Sequence, residues 1–265
     1  MVQELKDKPV ADVTMILNVW RRNYLDEQLG SLMKQTFLPK QIWIIRYERM
    51  TDMESVVEKY QGLFPSITLI ESGKNLKYYA RFSIAAFTET EFTWVLDDDV
   101  IPSPVWLEIA LKKCNEHNAL ISCTGRIIAP DDFEPETPKL VPEDYFIGDE
   151  PATLEYNICA KDTIVDYGCN SYFFRTSWIK HFWSIWPHTF SSGEDMHFAA
   201  TLKIRAGINT VVPEQYTVAD TGNTKKFYGS DEHSSWLLPG FYDTRREILK
   251  YLILEKKWKP IMWGV

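Results

Sequence analysis

The chain has no apolar run of membrane-spanning length, no closely paired cysteines, no glycine-rich phosphate loop and no excess of basic residues. Each absence narrows the field. A spanning helix needs about 20 consecutive apolar residues, so no membrane span is expected, and the charged start Met1-Val-Gln-Glu-Leu-Lys-Asp-Lys8 does not suit a signal peptide. The four cysteines, Cys114, Cys123, Cys159 and Cys169, lack CxxC or zinc-site spacing. Reduced thiols are therefore expected, in a cytoplasmic protein or in a soluble catalytic domain cut from a longer one. The 29 basic and 37 acidic residues give a formal net charge of -8, which excludes a nucleic-acid backbone as the main partner. Asn18-Val-Trp-Arg-Arg22, behind the first apolar strand, contains no glycine, so a backbone cradle for phosphate is not expected there.

What is present suits a folded enzyme. The chain has 265 residues, 45% hydrophobic and 14% aromatic, enough for one sizeable core. The sharpest feature is Asp97-Asp98-Asp99, directly after the apolar run Phe92-Thr-Trp-Val-Leu96 and before Val100-Ile-Pro102. Three adjacent carboxylates where a buried strand surfaces repel one another and lose hydration. A cation or a set of donors must satisfy them. Hard divalent ions that prefer oxygen, Mg²⁺ or Mn²⁺, fit that chemistry and commonly accompany a phosphate.

Apolar periodicity predicts strands at Val13–Val19, Gln41–Arg46, Ser66–Glu71, Phe92–Leu96 and Ala119–Thr124. Helices are expected between them, near Tyr24–Gln35, Asp52–Gln61, Leu76–Thr88 and Pro104–Glu116. That alternation implies a single α/β domain with a mostly parallel sheet flanked by helices. Ligands of such sheets sit beyond the carboxyl ends of the strands. Four strand exits therefore converge: Trp20-Arg21-Arg22, Arg46-Tyr47-Glu48, Gly73-Lys74-Asn75 and the Asp triplet. Beyond Arg126 the regularity stops, and the Pro-, Asp- and Glu-rich stretch from Ala129 to Lys161 reads as a long excursion. A strand entered through Gly168 (Tyr167–Phe174), a helix from Gly193 to Ala206, a strand at Asn209–Pro213, a polar loop from Asp220 to His233 and an amphipathic helix between Pro239 and Trp258 complete the chain.

The second acidic signal is Ser191-Ser-Gly-Glu-Asp-Met-His197. Serine or glycine can cap a helix there, and Glu194 and Asp195 would meet its positive end. Two acidic sets, one for a metal and one for a proton, are what metal-assisted group transfer requires.

Together, Met15-Ile-Leu-Asn-Val-Trp20, the DxD-type triplet after the fourth strand, Asn75-Leu-Lys-Tyr-Tyr-Ala-Arg81, the glycine near position 168 and the Gly-Glu-Asp helix start resemble nucleotide-sugar-dependent glycosyltransferases of the GT-A, Rossmann-like fold, nearest the family 2 type. The resemblance covers most of residues 13 to 213. It implies a nucleotide-sugar-binding half, about residues 1–126, and an acceptor half, about 127–265, with the closing loop and helix. It places Asn18, Trp20, Asn75, Arg81, Asp97, Asp98 and Lys225 on the nucleotide-diphosphate sugar, Asp97 near the ribose and sugar. Asp99, with Asp97 and His233, would hold Mn²⁺ or Mg²⁺, and Asp195, or Glu194 beside it, would be the general base of an inverting transfer to a glycan hydroxyl. Arg46 departs from the pattern, because many relatives carry an Asp at the end of the second strand to hold the base.

Alternatives remain at this stage. A retaining enzyme of the same architecture shares the Glu-Asp motif. A haloacid-dehalogenase-type phosphatase also has Asp-x-Asp behind a strand, but near its start, whereas roughly a third of this chain precedes Asp97. A sugar-nucleotide pyrophosphorylase needs the missing glycine loop, and a non-catalytic carbohydrate-binding protein has no use for both acidic motifs. The segment Phe182-Trp-Ser-Ile-Trp-Pro-His-Thr-Phe190 suits either a sugar-stacking wall or the core, and His117, His181 and His188 read as structural.

Overall fold

A computed structural model describes residues 5–49, 53–64, 66–128, 146–147 and 159–263. Among these residues nine strands form one sheet: β1 (Val10–Val19), β2 (Leu38–Tyr47), β3 (Ile67–Ser72), β4 (Phe92–Leu96), β5 (Leu120–Arg126), β6 (Phe146–Ile147), β7 (Thr163–Val165), β8 (Tyr167–Arg175) and β9 (Thr210–Val212). The order is β3-β2-β1-β4-β8-β5-β9-β7, with β6 on β5. The first four strands pair in parallel, joined by α1 (Leu25–Met33), α2 (Glu54–Gln61) and α3 (Lys77–Ser83). These are the crossovers that the alternating sequence predicts.

The second half of the sheet is mixed. α4 (Trp106–His117) leads from β4 into β5; β8 runs antiparallel between β4 and β5, and β9 rejoins β5 in parallel after α5 (Ile179–Phe182) and α6 (Glu194–Ala206). Six of the nine strands share one direction, with β6, β7 and β8 reversed. β7 and β8 share the reversed direction because only Asp166 separates them, so they form one nearly continuous extended run that pairs first with β9 and then with β5 and β4. β7 and α5 are too short to show periodicity, and sequence patterning does not predict them. The excursion expected from Ala129 to Lys161 lies mostly outside the described residues. No described helix is long and apolar enough to cross a membrane.

The main core lies between sheet and helices, around Trp94, Trp106, Phe82, Phe173 and Phe174, all fully buried. Both indoles donate to Ser171 Oγ, at 2.9 and 3.3 Å, so burying them strands no polar atom. A second cluster joins α6 to α7 (Phe241–Lys250) through Met196, Ala199, Ile248 and Leu249. That packing brings the last helix against the first turn of α6.

Candidate active site

Fully buried β4 surfaces at Leu96 and delivers the triplet to the crevice beyond the strand ends. β1 lies between β2 and β4, so the chain leaves β1 to one side and β4 to the other, and a crevice of about 640 Å³ opens there. The three aspartates do not point together. Asp97 turns inward to the buried Arg81 of α3, whose Nη1 it binds and whose Nη2 donates to Glu194 Oε1 at 2.6 Å. Burial pushes Asp97 upward in pKa, and the Arg81 guanidinium opposes the rise. Asp98 and Asp99 turn instead to Arg22, whose Nη1 lies 2.7 Å from Asp98 Oδ1 and 3.0 Å from Asp99 Oδ2. Burial pushes Asp99 up to about 6, Asp98 adds to that, and Arg22 pulls it back.

Arg22 is the hub of this side. Its Nε and Nη2 also bind Asp231 at 2.8 and 2.7 Å, tying the polar loop after β9 to the triplet. Burial alone would pull Arg22 down, but the hydrogen bond to Asp231 and the charges of Asp99 and Asp98 raise it. In return, Arg22 holds Asp231 down at about 2. The loop is further fixed by Tyr228, stacked on Tyr24 at 4.1 Å and donating to Glu27 Oε2 at 2.8 Å.

Opposite stands the first turn of α6. Gly193 precedes it in the left-handed region (φ 83°), where an added Cβ would fall 2.4 Å from Ile248 Cδ1. Glu194 and Asp195 are both buried but face different partners. Glu194 takes Arg81, whereas Asp195 receives both ends of the Arg245 guanidinium, at 3.1 and 2.8 Å, and the backbone N–H of Met196 at 2.8 Å. Burial pushes Glu194 upward, against the pull of Arg81.

Three buried polar atoms of the crevice-lining residues make no hydrogen bond: Arg81 Nε, and Asn18 Oδ1 and Tyr47 Oη at the ends of adjacent strands β1 and β2. Unsatisfied buried groups are rare and point to an occupant. Burial raises Tyr47 to about 12, so the phenol remains a neutral donor. Arg46 does not enter the crevice; it is buried against Glu71 and Glu54.

The fold thus brings Asn18, Trp20, Asn75, Arg81, Asp97, Asp98, Asp99, Glu194, Asp195 and His233 to one crevice. Trp20 donates to Glu48 Oε2 at 3.0 Å, and Asn75 Oδ1 accepts from the Lys77 N–H at 2.7 Å. His233 is held through its backbone N–H to Asp231 Oδ1. Lys225 is exposed and outside the lining, where its neighbour Lys226 takes the place. Sequence reasoning placed Arg22 and Tyr47 at converging strand exits without giving either a role, and missed Arg245 and the role of Asp231. Arg245 carried a signal too, a cation on the apolar side of an amphipathic helix.

The metal expectation can be tested on the donor set. Two carboxylate oxygens, Asp98 Oδ1 and Asp99 Oδ2, converge on one cationic nitrogen, Arg22 Nη1, and both oxygens are hard ligands of the kind Mg²⁺ and Mn²⁺ prefer. The residues fit a divalent ion at Asp98 and Asp99 in competition with that guanidinium. Asp97, committed to Arg81, stands apart from the pair. Among the described residues, a set of three metal-type side chains within 4.8 Å occurs at Glu116, His117 and Asp162, none of which lines the crevice. Lys113 Nζ already lies 2.7 Å from Asp162 there.

The family model described as Glycosyl transferase family 2 matches residues 13–182. Among solved structures, S. aureus TarS 1-349 in complex with UDP-GlcNAc superposes with a TM-score of 0.51 at 18% identity, covering 77% of this chain and 57% of that one. The same TarS fragment in complex with UDP gives 0.50 and 18%, covering 77% and 59%. A longer TarS structure gives 0.49 and 19%, and the match covers 34% of its length. The chain therefore spans less than two thirds of these relatives. No curated protein sequence matches it.

Proposed function

The chain belongs to glycosyl transferase family 2, and from that membership we propose that it moves a sugar from a nucleotide-diphosphate sugar to a hydroxyl of a glycan acceptor, with inversion and with a divalent metal. The observation that carries this reading is the opposition, across one crevice, of the triplet at the end of β4 and the Asp195–Arg245 pair at the start of α6. The crevice suits an anionic ligand. Although the chain is acidic overall, six cationic side chains line the crevice against five carboxylates.

In this mechanism the donor lies along the strand ends, its nucleoside against Asn18 Oδ1 and Tyr47 Oη. TarS was crystallised with UDP and UDP-GlcNAc, so a uridine nucleotide is the first donor to test. Asp97, fixed by Arg81, faces the ribose and sugar. Asp98 and Asp99 would hold Mn²⁺ or Mg²⁺, which when bound offsets the charge of the leaving diphosphate. Asp195 accepts the proton of the acceptor hydroxyl as its oxygen attacks the anomeric carbon. The bond from that carbon to the diphosphate breaks, and its electron pair leaves on the phosphate oxygen. Arg245 keeps both carboxylate oxygens in a fixed plane, while Glu194 orients Arg81. Residues 1–126 then form the donor half and 127–265 the acceptor half.

The test is calorimetric titration of UDP and UDP-sugars with Mn²⁺ and with chelator, on the native chain, Asp99→Ala and Asp195→Asn. Metal-dependent binding should vanish in Asp99→Ala and persist in Asp195→Asn, which should lose turnover. Equal loss of nucleotide affinity in both variants would refute the division of roles.

A further inference from the structure

The segment from Phe182 to Phe190 divides its rings between core and solvent. Phe182 and Ile185 are buried, whereas Trp183, Trp186 and Phe190 are 39%, 68% and 45% exposed. The three exposed rings touch one another, with centroids 6.3, 6.4 and 5.5 Å apart, so they form one continuous surface. That surface is held rigidly. Tyr251 Oη donates to the Trp186 carbonyl at 2.6 Å, Arg205 Nη2 to the Ser184 carbonyl at 3.1 Å, and Ser184 Oγ to the His181 carbonyl at 2.6 Å. Behind Trp186 lies a cleft of about 360 Å³, bounded by Tyr251 and by the polar ends of Arg205, Glu255 and Lys256.

The ledge runs into the crevice. Phe190 packs on Tyr79 of α3 at 5.3 Å, and the next two residues, Ser191 and Ser192, line the crevice below Glu194. Tyr251 follows Arg245 by six residues on a continuous helical segment, a rise of about 9 Å and a turn of about 120° round the helix. The ledge therefore flanks the crevice, and an acceptor chain whose terminal hydroxyl meets Asp195 reaches it by leaving past Ser191 and Ser192.

We propose that Trp183, Trp186 and Phe190, with the cleft behind Trp186, form a subsite for the inner pyranose rings of an oligosaccharide acceptor. This deepens the transferase reading and rests on it for the identity of the ligand. The C–H faces of pyranoses pack on aromatic rings, and their hydroxyls need both donors and acceptors. The Arg205, Lys256 and Glu255 side chains supply both kinds in the cleft. A fixed surface also suits a stiff ligand, because little ordering is left to be done on binding.

The test titrates cellotetraose, N-acetylchitotetraose and maltotetraose, with glucose and N-acetylglucosamine for comparison, into the native chain and into Trp186→Ala and Trp183→Ala. At least one tetrasaccharide should bind more tightly than its monosaccharide, and each variant should weaken it about tenfold. UDP affinity and melting temperature should stay unchanged. The idea falls if no tetrasaccharide binds, or if both variants bind as the native chain does. A dimer in sedimentation velocity, or pelleting with anionic vesicles, that Trp186→Ala abolishes would also overturn it, assigning the ledge to a second copy or a lipid surface. UDP titrated into the same samples separates the two readings. Nucleotide binding without tetrasaccharide binding sinks the subsite alone, whereas tetrasaccharide binding at Trp186 without nucleotide binding sinks the transferase.

Discussion

Removing the Arg245 guanidinium should expose how the site holds its second acidic set. Both side chains of the Asp195–Arg245 pair are 9% exposed, so Arg245→Met would leave a buried carboxylate without its countercharge. Breaking such a pair from one side costs about 3–5 kcal/mol. The Met196 N–H and the positive end of α6 still face Asp195, and a helix terminus returns about 1 kcal/mol. A net loss of about 2–4 kcal/mol is expected in urea unfolding. Methionine keeps the apolar stem against Tyr167 and Phe241, over which the guanidinium now lies at 5.2 and 5.3 Å. The loss therefore reports charge rather than packing. Asp195→Asn removes the stranded charge, so the double variant should recover most of the stability, with a coupling of about 2–3 kcal/mol. Additive losses, or a cost below about 1 kcal/mol for Arg245→Met, would refute the argument that this pair is a mutually dependent buried unit.

Asp166, buried and raised to about 6 mainly by loss of hydration, gives a pH test. Its folded pKa lies above the unfolded value, so its favourable contribution is complete below about pH 4 and is lost as pH rises through about 6, up to about 3 kcal/mol. Asp166→Asn should flatten that part of the urea-midpoint profile, and an unchanged profile would contradict the assignment. Arg22→Gln should strengthen Mn²⁺ binding to the nucleotide-free chain about tenfold, read by the loss of the free-ion electron paramagnetic resonance signal. Unchanged or weaker binding would show that guanidinium and metal do not compete for Asp98 and Asp99. Gly222→Ala would set a Cβ 2.2 Å from Cys123 Cβ and 2.7 Å from the Trp106 ring. It should destabilise the chain by about 1–3 kcal/mol or more in thermal melts, and a neutral effect would mean that the loop after β9 can shift freely.

The alternation of β1 to β5 and the position of the triplet are legible because they are written in nearby residues: apolar runs, turn residues, acids behind a strand. The Gly193-Glu194-Asp195 helix start is legible for the same reason. What pairs with those acids is not. Arg245 lies 50 residues beyond Asp195, and Asp231 lies 209 beyond Arg22, and ion pairs at such separations leave no period in the sequence. The second strand's exit illustrates another limit. Successive strand residues point to opposite faces, so Arg46 is buried against Glu71 while Tyr47 takes the crevice. A reading one residue out of phase gives the wrong side chain to the ligand. Lys225 and Lys226 differ in the same way, at the edge of a short 3₁₀ turn (Lys226–Ser230) whose rotation no local pattern sets.

The distribution of the arginines bears on the order in which ligands bind. Arg22, Arg81 and Arg245 each clamp one acidic group: Asp98 with Asp99 and Asp231, Asp97 with Glu194, and Asp195. Six carboxylates thus share three guanidiniums, leaving those clusters net negative, while Lys77, Arg126 and Lys226 supply the other cations of the crevice lining. At the triplet itself carboxylates of one sign resist a diphosphate, so on the proposed reading a donor settles there when a cation comes with it or when Arg22 separates from its partners. Only the Arg22 cluster can give way without disturbing Asp195, because Arg81 and Arg245 are buried against the core whereas Asp231 sits on the outer loop. The metal and donor should therefore bind together and loosen the 226–236 loop from Arg22. Asp195 and Arg245 remain fixed for the acceptor that follows.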